Sequence, residues 1–341
     1  MKSDLRGEQA WLITGSLMVI AVVALGITLR YARPVLVPFV LAIFIYSLVS
    51  PILDLQVIRL KVPRTIAVGI TLLIVLVILF VLFLFMNQAV QAIVSTAGRY
   101  SDSMVNLAKQ VFSDIKGWGI ELDQAKIIET LQKQIPKLVG DTFGAIMGFS
   151  SGVLFVVIFL IFLLIGRNPH AVRSGIYADI DSKVKKYIGT KAVISMATGL
   201  LVWVTLSLFG LELAGIFGIF AFLLNFIPSI GSIIATLLPI PIAVAQFENP
   251  WLITAVVVVP GAIQMSVGNV IEPKLMGEGL QLHPVVILLA LSFWGLLWGV
   301  VGMFLAVPVT AIIRIILMQF DTLRPVGRLL AGELPGSQAV T

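Results

Sequence analysis

The chain has 341 residues, 59% hydrophobic and only 12% charged, with a formal net charge of +6. A soluble domain carries about a quarter charged residues, so this composition, with its repeated apolar runs of 18 or more residues, excludes a soluble enzyme and implies an all-α polytopic membrane protein of about eight transmembrane helices. The runs do not alternate as barrel strands would; with no Cys, and with His170 and His283 far apart, neither a metal centre nor any other cofactor is expected.

Residues 1–98 read as a three-helix membrane scaffold. Trp11 to Leu29 is the first span, taken as an uncleaved helix rather than a signal peptide because its core is long and a second span follows at once. Arg30 and Arg33 close it, and Pro34 opens the second span, which runs to about Leu53. A basic loop with Arg59, Lys61 and Arg64 precedes a long third helix. Residues 99–141 form an extramembrane insert: Met104, Ala108, Val111 and Ile115, then Ile127, Leu131, Ile135 and Leu138, fall at helical spacing, with balanced charge around them.

Residues 142–191 hold the fourth span, from Phe143 to Ile165, and a basic segment. There Ile176, Ile180, Val184 and Ile188 make one apolar face, read as an interfacial helix with its basic residues toward lipid phosphates. The two basic loops lie on one side, which the charge rule makes cytoplasmic, together with both termini. The positive charge is thus accounted for by the lipid bilayer, and no nucleic acid is expected as a partner.

Residues 192–320 carry the transport core, and residues 321–341 a cytoplasmic tail. The eighty residues between Lys191 and Glu272 contain no Lys or Arg. Inside lie two polar breaks, Asn225-Phe226-Ile227-Pro228-Ser229-Ile230-Gly231 and Gly268-Asn269-Val270-Ile271-Glu272-Pro273-Lys274-Leu275-Met276-Gly277. Hydrocarbon cannot satisfy backbone groups freed by Pro and Gly, so such breaks belong inside protein or beside a polar cavity, and paired breaks point to a transporter's binding site. Ile216 to Gln246 is too long for one span and too short for two, which predicts a re-entrant hairpin divided at Pro228 and Gly231. Pro284 to Phe320, interrupted by Gly295, Gly299, Gly302 and Pro308, is either two short crossings or a second hairpin.

Several of these stretches resemble the autoinducer-2 exporter family of bacterial membrane proteins: Lys191 to Gly199, Leu223 to Ile234, Gly268 to Gly277, Leu282-His283-Pro284 and Gly299 to Pro308. The match in order and spacing covers the C-terminal half, and the N-terminal half is similar in layout. The departure is Gly189, where the family usually has a bulky or basic residue. The resemblance implies export of a small signalling molecule from the bacterial cell across its inner membrane, by a homo-oligomer that the family likeness makes a pentamer; sodium/proton antiport is also described for relatives.

Asn225 and Asn269, with Pro228, Ser229, Gly231, Ser232, Gln264 and Ser266, supply hydroxyls, amides and turns that suit a small neutral polyol; the competing role for the two Asn is to satisfy backbone at the breaks. Carbonyls beside Pro228 and Pro273 are the alternative, a sodium site. Gly268, Gly277 and Pro308 join Pro228, Gly231 and Pro273 as hinge candidates. Glu272 in a bilayer costs roughly 2.5–3.5 kcal/mol, so it either carries a proton or pairs with Lys274. Arg314 snorkels or pairs within the last helix, and Trp294 and Trp298 mark an interface or a subunit contact. The remote enzyme reading is an intramembrane serine protease, in which Ser150 of Gly148-Phe149-Ser150-Ser151-Gly152 works with His283.

Overall fold

The computed structural model describes residues 2–85, 152–167, 175–276 and 282–333, with positions 87, 88, 91 and 280. The extramembrane insert, Ser150, His170 and Gly277 lie outside the described residues. Five helices are long and apolar enough to cross a membrane, and shorter apolar helices lie between them; the protein is an all-helical polytopic membrane protein.

Helix α1 (Lys2–Tyr31) turns at Ala32 into α2 (Arg33–Asp54), with Pro34 in its first turn. There the missing proline N–H is one the helix start would leave unbonded anyway. The end of α2 loosens into a π turn (Leu55–Arg59). With α3 (Arg64–Phe85) and α4 (Gly152–Gly166) it buries Ala42, Leu53, Ala67, Val75, Leu160 and Leu164 in one cluster. Arg167 closes that bundle. Its guanidinium donates to Asp54, with Nε 2.9 Å from Oδ1, and to the Tyr46 hydroxyl at 2.8 Å. Burial works against the charge, but Asp54 and Tyr46 more than offset it and hold the pKa above the ordinary arginine value.

Helix α5 (Ile176–Leu208) is continuous through 33 residues. The basic segment expected to lie on the membrane surface is its first half. Val184 and Ile188 pack with Phe44, Phe226 and Leu305, and Ile180 against them, so the apolar stripe meets protein where lipid was expected.

The first hairpin is α6 (Ala214–Leu224), α7 (Ile230–Leu237) and α8 (Ile240–Gln246). Ile227 precedes Pro228 and so disfavours helical backbone there, and α6 stops at Leu224. Gly231 packs so tightly that a Cβ would lie 1.8 Å from the Leu224 carbonyl oxygen. The chain then returns: Gln246 accepts from the Glu212 N–H and donates to the Gly210 carbonyl, each at 2.7 Å. Entry and exit are therefore side by side, as a re-entrant hairpin requires. Its 11-residue first arm rises about 16 Å, roughly half a bilayer core. Gly199 and Gly218 seat α6 on α5 backbone to backbone; a Cβ on Gly199 would lie 2.6 Å from the Gly218 carbonyl oxygen.

Helix α9 (Pro250–Ser266) starts on an Asn249 side-chain cap. It passes through a π turn (Val267–Ile271) into α10 (Glu272–Met276). The expected break at Gly268 to Pro273 is thus a change of pitch within a continuous helix, and no unwound carbonyls flank Pro273.

Helix α11 (Pro284–Leu317) folds back at Gly299, whose φ of 68° and ψ of −146° leave helical space. The two arms touch: a Cβ on Gly302 would lie 1.9 Å from the Trp294 carbonyl oxygen, and the Trp294 indole N–H donates to Thr310 at 3.1 Å. The second length puzzle therefore resolves as a hairpin. Its hinge is Gly299, while Pro308 is buried within a helical arm. Trp294 and Trp298 are interior, correcting the interface expectation: Trp298 donates to the Leu29 carbonyl, so both indole N–H groups find internal acceptors. Helix α12 (Arg324–Leu330) ends at the base of this hairpin, where the Leu330 carbonyl accepts from the His283 N–H. Phe226 at the tip of the first hairpin stacks on Phe304 at 4.7 Å, and Ile227 joins Trp294 and Trp298.

Candidate functional site

One cavity of about 430 Å³ lies where the tip of the first hairpin, α5 and the α9–α10 helix converge. Each wall follows from helical periodicity. Helix α7 presents Ser232, Ile233 and Thr236, with Ser229 at its N-cap; α9 presents Gly261, Gln264 and Met265, and Gly268 follows from the π turn, the residues of each wall recurring at steps of three or four. The π turn winds extra residues into its length, so Asn269 reaches the cavity beside Gly268, and Glu272 follows from α10. Helix α5 contributes Lys191.

Of the residues singled out in the sequence, Asn225, Pro228, Ser229, Ser232, Gln264, Gly268, Asn269 and Glu272 meet here. Gly231 does not line the cavity; it is the close-packing glycine of the tip. Ser266 and Pro273 do not line it either. His283 caps α11, its Nδ1 accepting from the Val285 N–H, and Arg314 is buried in the second arm of α11.

Glu272 pairs with Lys191 at 2.5 Å, not with Lys274. Lys191 is 1% exposed and Glu272 19%. The pair joins helices 81 residues apart in sequence. Lys191 was the residue missed. A lysine at the foot of a span reads as a charge on the cytoplasmic edge, but two signals stood beside it. It and Glu272 are the charges that bracket the Lys- and Arg-free stretch. Lys191, Ser195 and Thr198 also make a buried polar stripe at helical spacing on α5.

Ser195 explains the tip's position. Asn225 Nδ2 donates to its hydroxyl at 3.0 Å, both groups being buried. Ser229 holds a strained non-glycine backbone at φ 59°, a conformation that persists only where surroundings enforce it. Gln264 is 3% exposed, yet neither its amide nitrogen nor its amide oxygen bonds to protein among the described residues. Such a group costs about 1–3 kcal/mol unless something in the cavity satisfies it.

The arrangement offers donors and acceptors in a half-apolar hollow with no net charge, since Lys191 and Glu272 cancel. No group of three His, Cys, Asp or Glu gathers among the described residues. The geometry suits reversible binding of a small polar molecule.

The AI-2E family transporter model matches residues 17–321. The AI-2 transport protein TqsA of Escherichia coli is 30% identical over 306 residues, covering 85% of this chain and 88% of that protein. A putative transport protein of Haemophilus influenzae is 34% identical over 87% of this chain and 90% of its own length. Another from Borreliella burgdorferi is 29% identical over 96% and 93%.

Proposed function

This chain belongs to the AI-2E transporter family, and from that premise we propose that it exports a small polar solute, a signalling molecule of the autoinducer-2 type, across the bacterial inner membrane. The observation that carries the reading is Gln264: a buried amide, unbonded to protein among the described residues, in the wall of a cavity of about 430 Å³ between a hairpin tip and a π-turned helix. Asn269, Ser229 and Ser232 bind the solute with it, and Asn225 sets the tip. By the charge rule the basic end of α5 is cytoplasmic, as are both termini. Lys191 is the last charge of the basic half of α5, and Glu272 lies near the C-terminal end of the α9–α10 helix, so the cavity is loaded from the cytoplasm. Movement of the first hairpin against α9 then exposes it outward. The working unit is a homo-oligomer.

A second reading, cation/proton antiport, is favoured by one observation, the carboxylate of Glu272 in the cavity wall. Proteoliposomes separate the two. Export predicts saturable autoinducer-2 flux that falls on Gln264→Leu; antiport predicts sodium-driven proton movement that disappears on Glu272→Gln, with no solute flux. Absence of both in wild-type protein would sink the proposal.

A further inference from the structure

We infer that Lys191 and Glu272 together read the cargo, selecting a small neutral solute with two vicinal oxygen functions, a hydroxyl beside a carbonyl or beside a second hydroxyl. The inference rests on the transport reading above and deepens it.

An ammonium has three donors, and Lys191 spends one on Glu272 Oε1. The side chain is otherwise enclosed, and the cavity is the polar space it borders. Glu272 keeps acceptor capacity and is the more exposed partner. The wall therefore sets a donor and an acceptor 2.5 Å apart. The complementary ligand edge is an acceptor next to a donor: one oxygen takes an N–H from Lys191 while a neighbouring hydroxyl donates to Glu272. Gln264 repeats the pattern with an amide N–H and C=O on one side chain. Two such pairs favour adjacent oxygen atoms over isolated ones.

Charge narrows the class further. The pair sums to zero, so a neutral solute leaves the buried charges balanced, whereas an anion or a cation adds an uncompensated charge at a poorly hydrated site. A pair serving only to join α5 and α10 is replaceable by apolar side chains with little loss of stability; a pair that reads cargo is not replaceable in function.

The test uses full-length protein in proteoliposomes, with autoinducer-2 efflux competed by three probes of similar size. Dihydroxyacetone is neutral and vicinal; 1,3-propanediol is neutral but not vicinal; glycerate is vicinal but anionic. Dihydroxyacetone is expected to compete, and the other two to be weaker by about tenfold or more, 1,3-propanediol through the loss of one hydrogen bond to a charged group and glycerate through its uncompensated charge. The double variant Lys191→Met, Glu272→Leu is expected to unfold thermally near wild type while losing flux and discrimination. Equal competition by all three probes, or a double variant that transports and discriminates like wild type, overturns the inference. If the double variant does not fold, the wild-type probe series decides. If wild type moves no autoinducer-2, the transport reading fails on its own. Calorimetric binding of dihydroxyacetone and glycerate to solubilised protein then decides the selectivity.

Discussion

Gln264 is where stability and function pull apart. Its two amide atoms are buried without a protein partner among the described residues, so replacing the side chain by an apolar one of similar size removes an unsatisfied group. Gln264→Leu should raise unfolding stability in detergent by about 1 kcal/mol and lower autoinducer-2 flux about tenfold or more. Thermal unfolding and liposome efflux read the two effects separately, and a fall in both would mean the amide serves packing. Asn225 behaves differently because its donor is committed to Ser195. Asn225→Ala should cost about 1–2 kcal/mol in the same unfolding measurement. The amides were legible in the sequence because they interrupt apolar runs, but their division of labour was not. Nothing local distinguishes an amide that ties a tip to α5 from one that faces a cavity.

The elements that shape the site are two hairpins and one π turn. Gly231 and Gly302 occupy equivalent places, each pressed against a carbonyl oxygen of the opposite arm, at 1.8 and 1.9 Å from a hypothetical Cβ. Gly231→Ala and Gly302→Ala should each destabilise by about 2–3 kcal/mol, since backbone must move. Gly268→Ala is the control. Nothing lies within 4 Å of its Cβ position, so it should be neutral or up to about 1 kcal/mol stabilising in thermal unfolding, while trimming the cavity. The first hairpin could be read from length and from Pro228 with Gly231 three residues on, because the proline disfavours helical backbone at Ile227 and the glycine allows a tight return. The second was undecided: 37 residues fit two readings, and the positive φ of Gly299 is invisible until the chain is folded. The π turn at Val267–Ile271 had no signal at all, since its bonding pattern belongs to no residue type. Gly268 and Pro273 therefore suggested an interruption where the helix only widens.

At the scale of the molecule, the α2–α4 bundle is closed by Arg167 and Asp54, while α5, the tip of the first hairpin, α7 and the α9–α10 helix surround the cavity. The two parts meet on the Phe44, Phe226 and Phe304 stack. This packs the hairpin tip against the α2–α4 bundle, and the proposed movement of that tip makes sidedness the decisive property. The chain has no cysteine, so a single introduced thiol reports without background. Ser232 faces the cavity from α7, and the cavity meets α5 at Lys191, the last charge of its basic half before the uncharged stretch that begins at Ala192. Ser232→Cys should therefore react with a membrane-impermeant maleimide in inside-out vesicles, and several-fold more slowly in right-side-out ones. Dihydroxyacetone should protect it if solute and thiol share the hollow. Equal labelling from both sides would mean an open pore, because a single continuous path cannot hold a solute away from either solution. Labelling from the outer side alone would invert the orientation that the basic loops predict. Labelling from the cytoplasm with protection is the one pattern that a cavity loaded inside and released outside can produce.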